Sequence, residues 1–407
     1  MISKYDLLYS VFLNEGLTAA QLVRKLGKSQ YEYNKFYKHL KQLEEDGLIE
    51  TKQNKYFLKK IEKTKEFIKV IDFSVKNNID YHELFLEKTI EFIELGLKKN
   101  ILFDLPFDNK TVSKISTFLA KHGFLLIESR KPFTARIVYS DFLEKVVKLF
   151  KGKTKIKCKK IFEDVNEKKL NSQIEKEFSA YKKSSKKILI DDEVRFIHRS
   201  LSLEGNTLTL SETEKLIKEN IPPKTRTFKE MQETMDYKKA LDRFIQDKSE
   251  LELQKVLEFH ETAMNSLEAG KGKIRKQNVK IKGNPDFKTA DWKEIPGKLN
   301  ELFAFYKQNV YKKLKAFEVV ELASYFHNEF QRIHPFIDGN SRTARALFAH
   351  VLILKGFPLI AFPSGFVEQY LALTKLSKER EDKHFELFMK QLVLHSLKQT
   401  NQKLKYS

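Results

Sequence analysis

The segment ELASYFHNEFQRIHPFIDGNSRTARALFAHVLILKGFPLI, residues 321–360, decides how the C-terminal half of the chain folds. Apolar residues recur at helical spacing up to Ile333. Pro335 then interrupts the pattern, because proline donates no backbone hydrogen bond and does not fit a helix interior. A second helical pattern begins at Asn340. The segment therefore predicts two helices joined by a short loop at 334–339.

The start of the second helix has the composition of a phosphate site. Helix N-termini present unpaired amide hydrogens and a partial positive charge, so the turn Gly339-Asn340-Ser341 can hold an anion. Arg342 and Arg345 are three residues apart and share one face of that helix. Two guanidinium groups can bind phosphate oxygens through paired hydrogen bonds. We expect these five residues to bind the phosphates of a nucleotide.

Two side chains of the loop can perform chemistry beside such a phosphate. His334 carries an imidazole with an ordinary pKa near neutrality, so it can act as a general base on an incoming hydroxyl. Asp338 offers a hard carboxylate oxygen, and Mg²⁺ usually binds through one or two carboxylates together with phosphates. The loop thus combines a candidate base with a candidate Mg²⁺ ligand.

The stretch HPFIDGNSRTAR, residues 334–345, resembles the Fic motif, in which His, Phe, an acid, Gly, Asn and two Arg recur at this spacing. The resemblance implies a helical Fic-fold catalytic domain at 188–407 that transfers AMP from ATP to a Ser, Thr or Tyr hydroxyl of a target protein. It implies catalytic roles for His334, Asn340 and Arg342, with Asn340 stabilising transition-state charge. ATP and Mg²⁺ are the small molecules that such a reaction requires.

An upstream segment, SLSLEGN at 200–206, resembles the inhibitory motif of Fic proteins. Ser200, Glu204 and Gly205 occupy its defining positions. The resemblance implies that Glu204 pairs with Arg345 and occludes the site of the γ-phosphate. The enzyme as made would then be largely self-inhibited.

Residues 270–283, GKGKIRKQNVKIKG, alternate polar and apolar positions between glycines, which predicts a β-hairpin set into the helical domain. This hairpin resembles the flap of Fic enzymes. An edge strand can bind an extended target segment through backbone hydrogen bonds, which would place the target hydroxyl near His334. The predicted docking residues are Lys273, Ile274, Arg275 and Val279.

Ser341 departs from the pattern of most adenylylating Fic members, which have Gly at this position, whereas the phosphate-transferring Doc branch has Lys. Serine adds only a hydroxymethyl group and is a good helix-start residue, so we expect the anion site to persist. Phosphate transfer stays open as an alternative activity. Removal of AMP, with Glu204 aligning the attacking water, is a second alternative known among Fic enzymes that carry this glutamate.

Residues 1–62 predict three helices followed by a hairpin. Thr18 is a good N-cap for the second helix and Ser29 for the third, while Gln53-Asn54 forms the hairpin turn. This order resembles a winged-helix DNA-binding module. One hypothesis is DNA binding through residues 1–60, which would make the chain a regulator with a nucleotide-sensing Fic domain. The other hypothesis is a docking module for a protein or for a second copy in a homodimer.

The region at 63–187 gives a weaker signal. Helical patterns between residues 81 and 123 precede two strand-like stretches between 124 and 140, an order that loosely repeats that of the first module. The pattern favours a mostly helical region with a hairpin, and a second winged-helix-like unit is one interpretation. We place the next domain boundary at 184–187, so the chain as a whole is predicted to be mainly α.

Composition narrows the classes of partner. The net charge of +21 over 407 residues favours polyanionic partners, although a lysine-rich proteome would give the same bias. The one cysteine, Cys158, excludes an internal disulfide. No apolar run approaches the roughly 20 residues of a membrane-spanning helix, and the first residues lack a secretory signal. We therefore expect a cytoplasmic protein without a membrane partner.

Overall fold

The structure is a computed structural model that describes residues 2–27, 33–153, 155–184, 190–247, 249–267, 270–281 and 283–406. Helices account for 61% and strands for 6% of it, which confirms the predicted mainly α class. The chain forms two compact units, Met1–Ile115 with Lys131–Cys158 and Ser116–Arg130 with Lys159–Ser407. The three domains predicted from the sequence stay a prediction.

The first unit opens with three helices and a hairpin, in the order predicted for residues 1–62. These elements are α1 (Lys4–Leu13), α2 (Ala19–Lys25), α3 (Tyr33–Glu45), β1 (Ile49–Lys52) and β2 (Lys55–Leu58). The two strands are antiparallel, with Ile49 opposite Leu58. Between them Gln53 and Asn54 have φ angles of 50° and 62°, the left-handed conformation of a tight hairpin turn.

Side-chain caps explain where two of these helices begin. Thr18 accepts a hydrogen bond from the backbone of Gln21, whose side chain accepts one from the backbone of Thr18 in return. Ser3 and Asp6 form the same reciprocal pair at the start of α1. The Thr18 cap was predicted, whereas the predicted Ser29 cap lies outside the described residues. The winged-helix resemblance and DNA binding stay predictions.

The remaining elements before residue 160 include the helices and strand-like stretches predicted between residues 81 and 140. In chain order they are α4 (Glu62–Lys76), α5 (Tyr81–Leu84), α6 (Glu87–Lys98), α7 (Asn109–Lys121), β3 (Leu125–Arg130), β4 (Phe133–Ile137) and α8 (Asp141–Lys151).

The second unit is helical. Its helices from residue 160 onward are α9 (Glu167–Lys183), α10 (Ile190–Ser202), α11 (Leu210–Glu219), α12 (Phe228–Gln246), α13 (Leu253–Ala263), α14 (Ile295–Val310), α15 (Ala316–Ile333), α16 (Asn340–Leu354), α17 (Val367–Leu373) and α18 (Asp382–Tyr406). The helix pair α15 and α16, predicted from residues 321–360, packs side by side, and α14 and α18 pack against α15. The described residues of α16 are nearly all buried from Asn340 to Leu352. The loop between the two helices is therefore fixed by core packing at both ends.

Helix α18 contains a fully buried ammonium group. Lys390 has no exposed side-chain surface and lies 2.8 Å from Glu167, 2.5 Å from Glu321 and 2.9 Å from Glu386. A buried charge is tolerated when it is paired in this way. The three carboxylates link α9 and α15 to α18.

The prediction of a β-hairpin at 270–283 is wrong for the described residues of this stretch. Among the described residues of this stretch no paired strands form, and the one bridge there joins Ile281 to Asn284. The backbone instead follows the surface of α13 and the end of α15, because Gly272 and Arg275 donate backbone N–H groups to His260 and to the carbonyl of Pro335. Alternation of polar and apolar residues therefore marked an extended segment without a strand partner.

None of the helices in the described part of the chain combines the length and the hydropathy that a membrane-spanning segment requires.

Candidate active site

The loop at 334–339 has a backbone conformation that few residues tolerate. His334 ends α15 in the left-handed region, with a φ of 51°, and its N–H donates to the carbonyl of Phe330 at 3.0 Å. Gly339 precedes α16 with a φ of 79°. A Cβ on Gly339 would lie 2.7 Å from Met264 Sδ and 2.9 Å from His260 Nε2, so only glycine fits without displacement.

Asn340 braces this loop. Its Oδ1 accepts a hydrogen bond from the N–H of Phe336 at 2.9 Å, and its Nδ2 donates to the carbonyl of Phe336 at 2.8 Å. Both ends of the amide are therefore used by the loop backbone. Asn340 therefore positions the loop, and its second Nδ2 N–H is not used by these two bonds. Its predicted catalytic role stays a prediction.

His260, on α13, supports the loop and was not predicted from the sequence. Its Nδ1 accepts a hydrogen bond from the N–H of Gly272 at 3.0 Å, so the ring proton is on Nε2. Nε2 donates to the carbonyl of Asp338 at 2.9 Å, and the ring stacks on Phe336 with centroids 3.6 Å apart. Burial lowers the pKa of His260 to about 4. The neutral ring thus joins the 270–281 segment to the loop.

The candidate base, His334, is half-buried at the end of α15. Its Nδ1 lies 3.4 Å from the carbonyl of Gln331. Burial lowers the pKa of His334 to about 4. The imidazole is therefore neutral at pH 7 and able to accept a proton.

Arg275 was predicted as a docking residue, and the structure corrects this assignment. The residue is only 2% exposed. Its Nε donates to the carbonyl of His334 at 2.8 Å, and its two terminal nitrogens donate to the carbonyls of Gln277 and Ala290 at 2.7 and 2.6 Å. The guanidinium thereby caps the C-terminal end of α15, where carbonyl groups lack helical partners. Of the other predicted docking residues, Lys273 is exposed, and Ile274 and Val279 are half-buried.

Asp338 and the first turn of α16 lie on the same loop as His334. No side chain caps the amides of this turn, where Ser341 is half-buried. The Asp338 carboxylate is 59% exposed; its Oδ1 accepts from the N–H of Gly339 at 2.6 Å, and its Oδ2 lies 3.4 Å from Arg342. One accessible carboxylate beside uncapped amides fits a Mg²⁺ ion that shares phosphate ligands.

Arg345 is held from two positions of the predicted inhibitory segment. Its Nε donates to Ser200 Oγ at 2.9 Å, and its Nη2 donates to the carbonyl of Ser200 and to Glu204 Oε1, both at 2.8 Å. Ser200 Oγ also lies 2.9 Å from the hydroxyl of Tyr237. The ion pair with Glu204 expected from the sequence is therefore present.

Arg342 has a carboxylate partner that the sequence did not reveal. Glu233 on α12 lies 2.5 Å from Arg342 Nη1, and the arginine side chain is 4% exposed. Asn206, at the end of the inhibitory segment, donates to the other oxygen of Glu233 at 2.9 Å. The turn at 204–206 thus contacts Arg345 directly and Arg342 through Glu233.

Comparison with known proteins shows which family this site resembles. Residues 250–352 match the family model described as the Fic/DOC family. Residues 250–352, which include the loop at 334–339, are thus similar to the Fic domain.

Two relatives of this part of the chain are both named protein adenylyltransferase Fic. The protein adenylyltransferase Fic of Drosophila persimilis is 26% identical over 198 residues, which are 47% of this chain and 38% of the relative. The protein of that name from Drosophila erecta is also 26% identical over 198 residues, 47% and 39% of the two chains. The chain thus spans less than half the length of these relatives.

A solved structure is similar in fold to more than half of this chain. The crystal structure of a Fic domain containing signaling protein from Bacteroides thetaiotaomicron VPI-5482 has a TM-score of 0.50 and 24% identity. The match covers 58% of this chain and 98% of that one. This likeness concerns the fold.

Sequence reasoning about the Fic domain located the loop residues but missed their supports. A buried histidine on an amphipathic helix, such as His260, looks the same in sequence as a core residue. Glu233 is one of several acids on α12, and only the packing of α12 against α16 selects it.

Proposed function

We propose that the Fic domain transfers AMP from ATP to a hydroxyl side chain of a target protein. The observation that carries the proposal is the neutral imidazole of His334 on the same braced loop as the uncapped N-terminus of α16. A base and an anion site on one rigid loop are what transfer to a hydroxyl requires. The name of the Drosophila relatives supports the same activity.

The reaction is an in-line displacement at the α-phosphorus of ATP. The target hydroxyl oxygen forms a bond to the α-phosphorus, the bond from that phosphorus to the oxygen bridging to the β-phosphate breaks, and pyrophosphate leaves. The hydroxyl proton passes to His334, whose lowered pKa keeps the ring neutral before attack. The amides at the start of α16 stabilise the negative charge of the transition state.

The remaining loop residues bind the phosphates. Arg342 and Arg345 take the β- and γ-phosphates once their carboxylate partners give way. Asp338 would hold Mg²⁺, which would neutralise phosphate charge and assist departure of pyrophosphate. Ser341 adds a hydroxyl at the first turn and leaves the amides uncapped.

The proposal includes self-inhibition by the ion pair between Glu204 and Arg345. Glu204 occupies Arg345 at 2.8 Å, so a γ-phosphate would have to displace a carboxylate from a buried guanidinium. Charge-assisted hydrogen bonds of this kind are about twice as strong as neutral ones. Removal of Glu204 is therefore expected to raise activity.

The target would dock along 273–281, which lies beside the loop because Arg275 binds the carbonyl of His334. Lys273, Ile274 and Val279 supply exposed or half-buried surface there. The positively charged lysines of this segment suit an acidic stretch next to the modified hydroxyl.

Labelled ATP tests the proposal. With the label at the α-position, we expect protein-bound label from the Glu204→Gly variant, much less from the unmodified chain, and none from Glu204→Gly combined with His334→Ala. Label that transfers only from the γ-position would replace the proposal with phosphate transfer. Release of AMP from a modified target that requires Glu204 would instead favour AMP removal.

DNA binding stays a proposal for residues 1–60, and the order of three helices followed by a hairpin is what motivates it. Binding of duplex DNA by the full chain, weakening steeply with salt and lost when lysines of α3 are replaced, would support a regulator. Absence of binding at low salt would favour protein docking or a homodimer. A cytoplasmic location stays a prediction.

A further inference from the structure

Arg380, in the segment between α17 and α18, is a buried cation without an acceptor for most of its donors. The residue is 8% exposed, and its Nε and Nη1 have no hydrogen-bond partner among the described residues. No carboxylate lies within salt-bridge distance of it in the described part of the chain. Asp382, the nearby acid that acts on it, instead lies 2.9 Å from Arg332 and 2.5 Å from Asn328.

The surroundings hold this guanidinium in place. Its central carbon lies 4.7 Å from the centroid of the Phe287 ring, close enough for a cation–π interaction. The carbonyl of Arg380 accepts a hydrogen bond from Arg332 Nη2 at 2.9 Å. Arg332 is in the last turn of α15, two residues before His334, so Arg380 is anchored at the helix end that carries the candidate base.

Electrostatic effects place the charge close to the site. Burial is the main cause of the lowered pKa of His334, and the positive charges of Arg275 and Arg380 lower it further. The charges of Arg380 and Arg345 both act on Tyr370 and on His327. Arg380 is thus close enough to His334 and to the surroundings of Arg345 for its charge to act on both.

A buried guanidinium without an acceptor is costly, because it has lost water without gaining a partner. Buried polar groups left unpaired in a native structure call for an explanation, and a missing ligand is one. Arg342 and Arg345 each have a glutamate partner, whereas Arg380 has none among the described residues. A phosphate of a bound ligand would supply the acceptor that Arg380 lacks among the described residues.

We propose that Arg380 binds the α-phosphate of the nucleotide, as a third guanidinium beside Arg342 and Arg345. The inference rests on the proposed function, which brings that phosphate next to His334. In this arrangement Arg380 contacts the group that reacts, while the other two arginines bind the group that leaves.

AMP and adenosine isolate the contact, because they differ only by the α-phosphate and neither needs Arg345. Their affinities would be measured by calorimetry for the unmodified full chain, Arg380→Met and Arg380→Lys. We expect Arg380→Met to weaken AMP binding at least about tenfold, the usual scale for a lost charge-assisted hydrogen bond. Adenosine binding should stay within about twofold, and Arg380→Lys should be intermediate.

Stability of the ligand-free protein separates this role from a structural one. Removal of an unpaired buried charge is expected to leave Tm unchanged or raise it, and Arg380→Met should lose the Tm increase that AMP gives. Arg199 is a matched control, because it is also 8% exposed but donates to Phe362 and Ser364. Arg199→Met should lower Tm and leave the ratio of AMP to adenosine affinity unchanged.

Three results would overturn the inference: an unchanged affinity ratio in Arg380→Met, an equal loss of AMP and adenosine binding, or no AMP binding by the unmodified chain. These affinity measurements are independent of the experiment with labelled ATP. Transfer of α-label together with an unchanged ratio of AMP to adenosine affinity in Arg380→Met would support the proposed function and remove Arg380 from it. A changed ratio without transfer of label would support phosphate binding by Arg380 and contradict the proposed function.

Discussion

Glu233 on α12 and Arg342 on α16 are joined by a contact of 2.5 Å in which the arginine side chain is 4% exposed. The pair connects the helix that begins the anion site with a helix outside the sequence motif. The other carboxylate oxygen of Glu233 accepts a hydrogen bond from Asn206, which belongs to the same turn as Glu204.

Glu233→Ala is expected to destabilise the protein by about 3–5 kcal/mol, because it leaves a buried guanidinium without its main acceptor. Urea unfolding monitored by circular dichroism measures the change. Replacement of both partners, Glu233→Met with Arg342→Met, should cost less than the sum of the single changes. Additive costs in that cycle would show that the two charges do not depend on each other.

His260 offers a pair of matched variants. In Asn the side-chain oxygen can replace Nδ1, the acceptor for Gly272, whereas in Gln the amide can replace Nε2, the donor to Asp338. In the Glu204→Gly background we expect His260→Asn to lower kcat for AMP transfer with a smaller change in KM for the target. His260→Gln should chiefly raise the target KM.

This division follows from the two contacts, because one orients the loop and the other positions the 270–281 segment. Equal losses in both constants for both variants would mean that the ring only fills space. Circular dichroism and Tm of each variant control for folding.

Gly339→Ala is expected to destabilise the protein by about 2 kcal/mol or more, because the new Cβ adopts a positive φ and meets Met264 and His260. Gly297, in the first turn of α14, serves as the control, since a Cβ added there would meet no described atom within 4 Å. Gly297→Ala should stabilise by about 0.4–1 kcal/mol. A Gly339→Ala protein as stable as the parent would contradict the close contact.

Stability is expected to fall as the pH drops from 6.5 toward 5. Burial lowers the pKa values of His260, His334 and His395 to about 4, below the 6.5 of an unfolded histidine. Between these values the unfolded chain binds a proton at each site and the folded chain does not, so falling pH favours unfolding. The stabilisation is complete above pH 6.5 and is lost toward pH 4.

Urea unfolding at pH 7, 6 and 5 tests this slope, which is at most about 1.4 kcal/mol per pH unit for each histidine. This pH window lies above the ordinary pKa values of aspartate and glutamate side chains. His395→Asn should show a shallower slope than the parent, whatever its stability at pH 7. A stability that rises on acidification to pH 5 would contradict the lowered pKa values.

The sequence predicted the parts of this fold in which local signals agree. Apolar periodicity and Pro335 defined the α15–loop–α16 unit, and the Thr18 cap set the start of α2. The 270–283 prediction failed because a period of two indicates extended backbone and cannot show whether a second strand lies beside it. Arg275 was misassigned for a related reason, since nothing local distinguishes an exposed arginine from one that caps a neighbouring helix.

The buried charge in α18 could not be predicted from the sequence for a different reason. Its interior contains Lys390, which reads as a surface residue until Glu167 and Glu321 are brought to it by tertiary packing. Likewise, Glu233 and His260 act through contacts with residues 109 and 78 positions away along the chain. Contacts of that range follow from helix packing and leave no local pattern.

The three-residue turn at 204–206 connects one short segment to both arginines of α16. Glu204 binds Arg345 and Asn206 binds Glu233, so a displacement of this turn would change the surroundings of Arg345 and Arg342 together. For the proposed binding of ATP, thermodynamic reciprocity requires that whatever displaces this turn raises the ATP affinity by the same factor by which ATP favours the displaced turn. A partner that binds only this one bend would therefore act on both arginines that are proposed to bind phosphates.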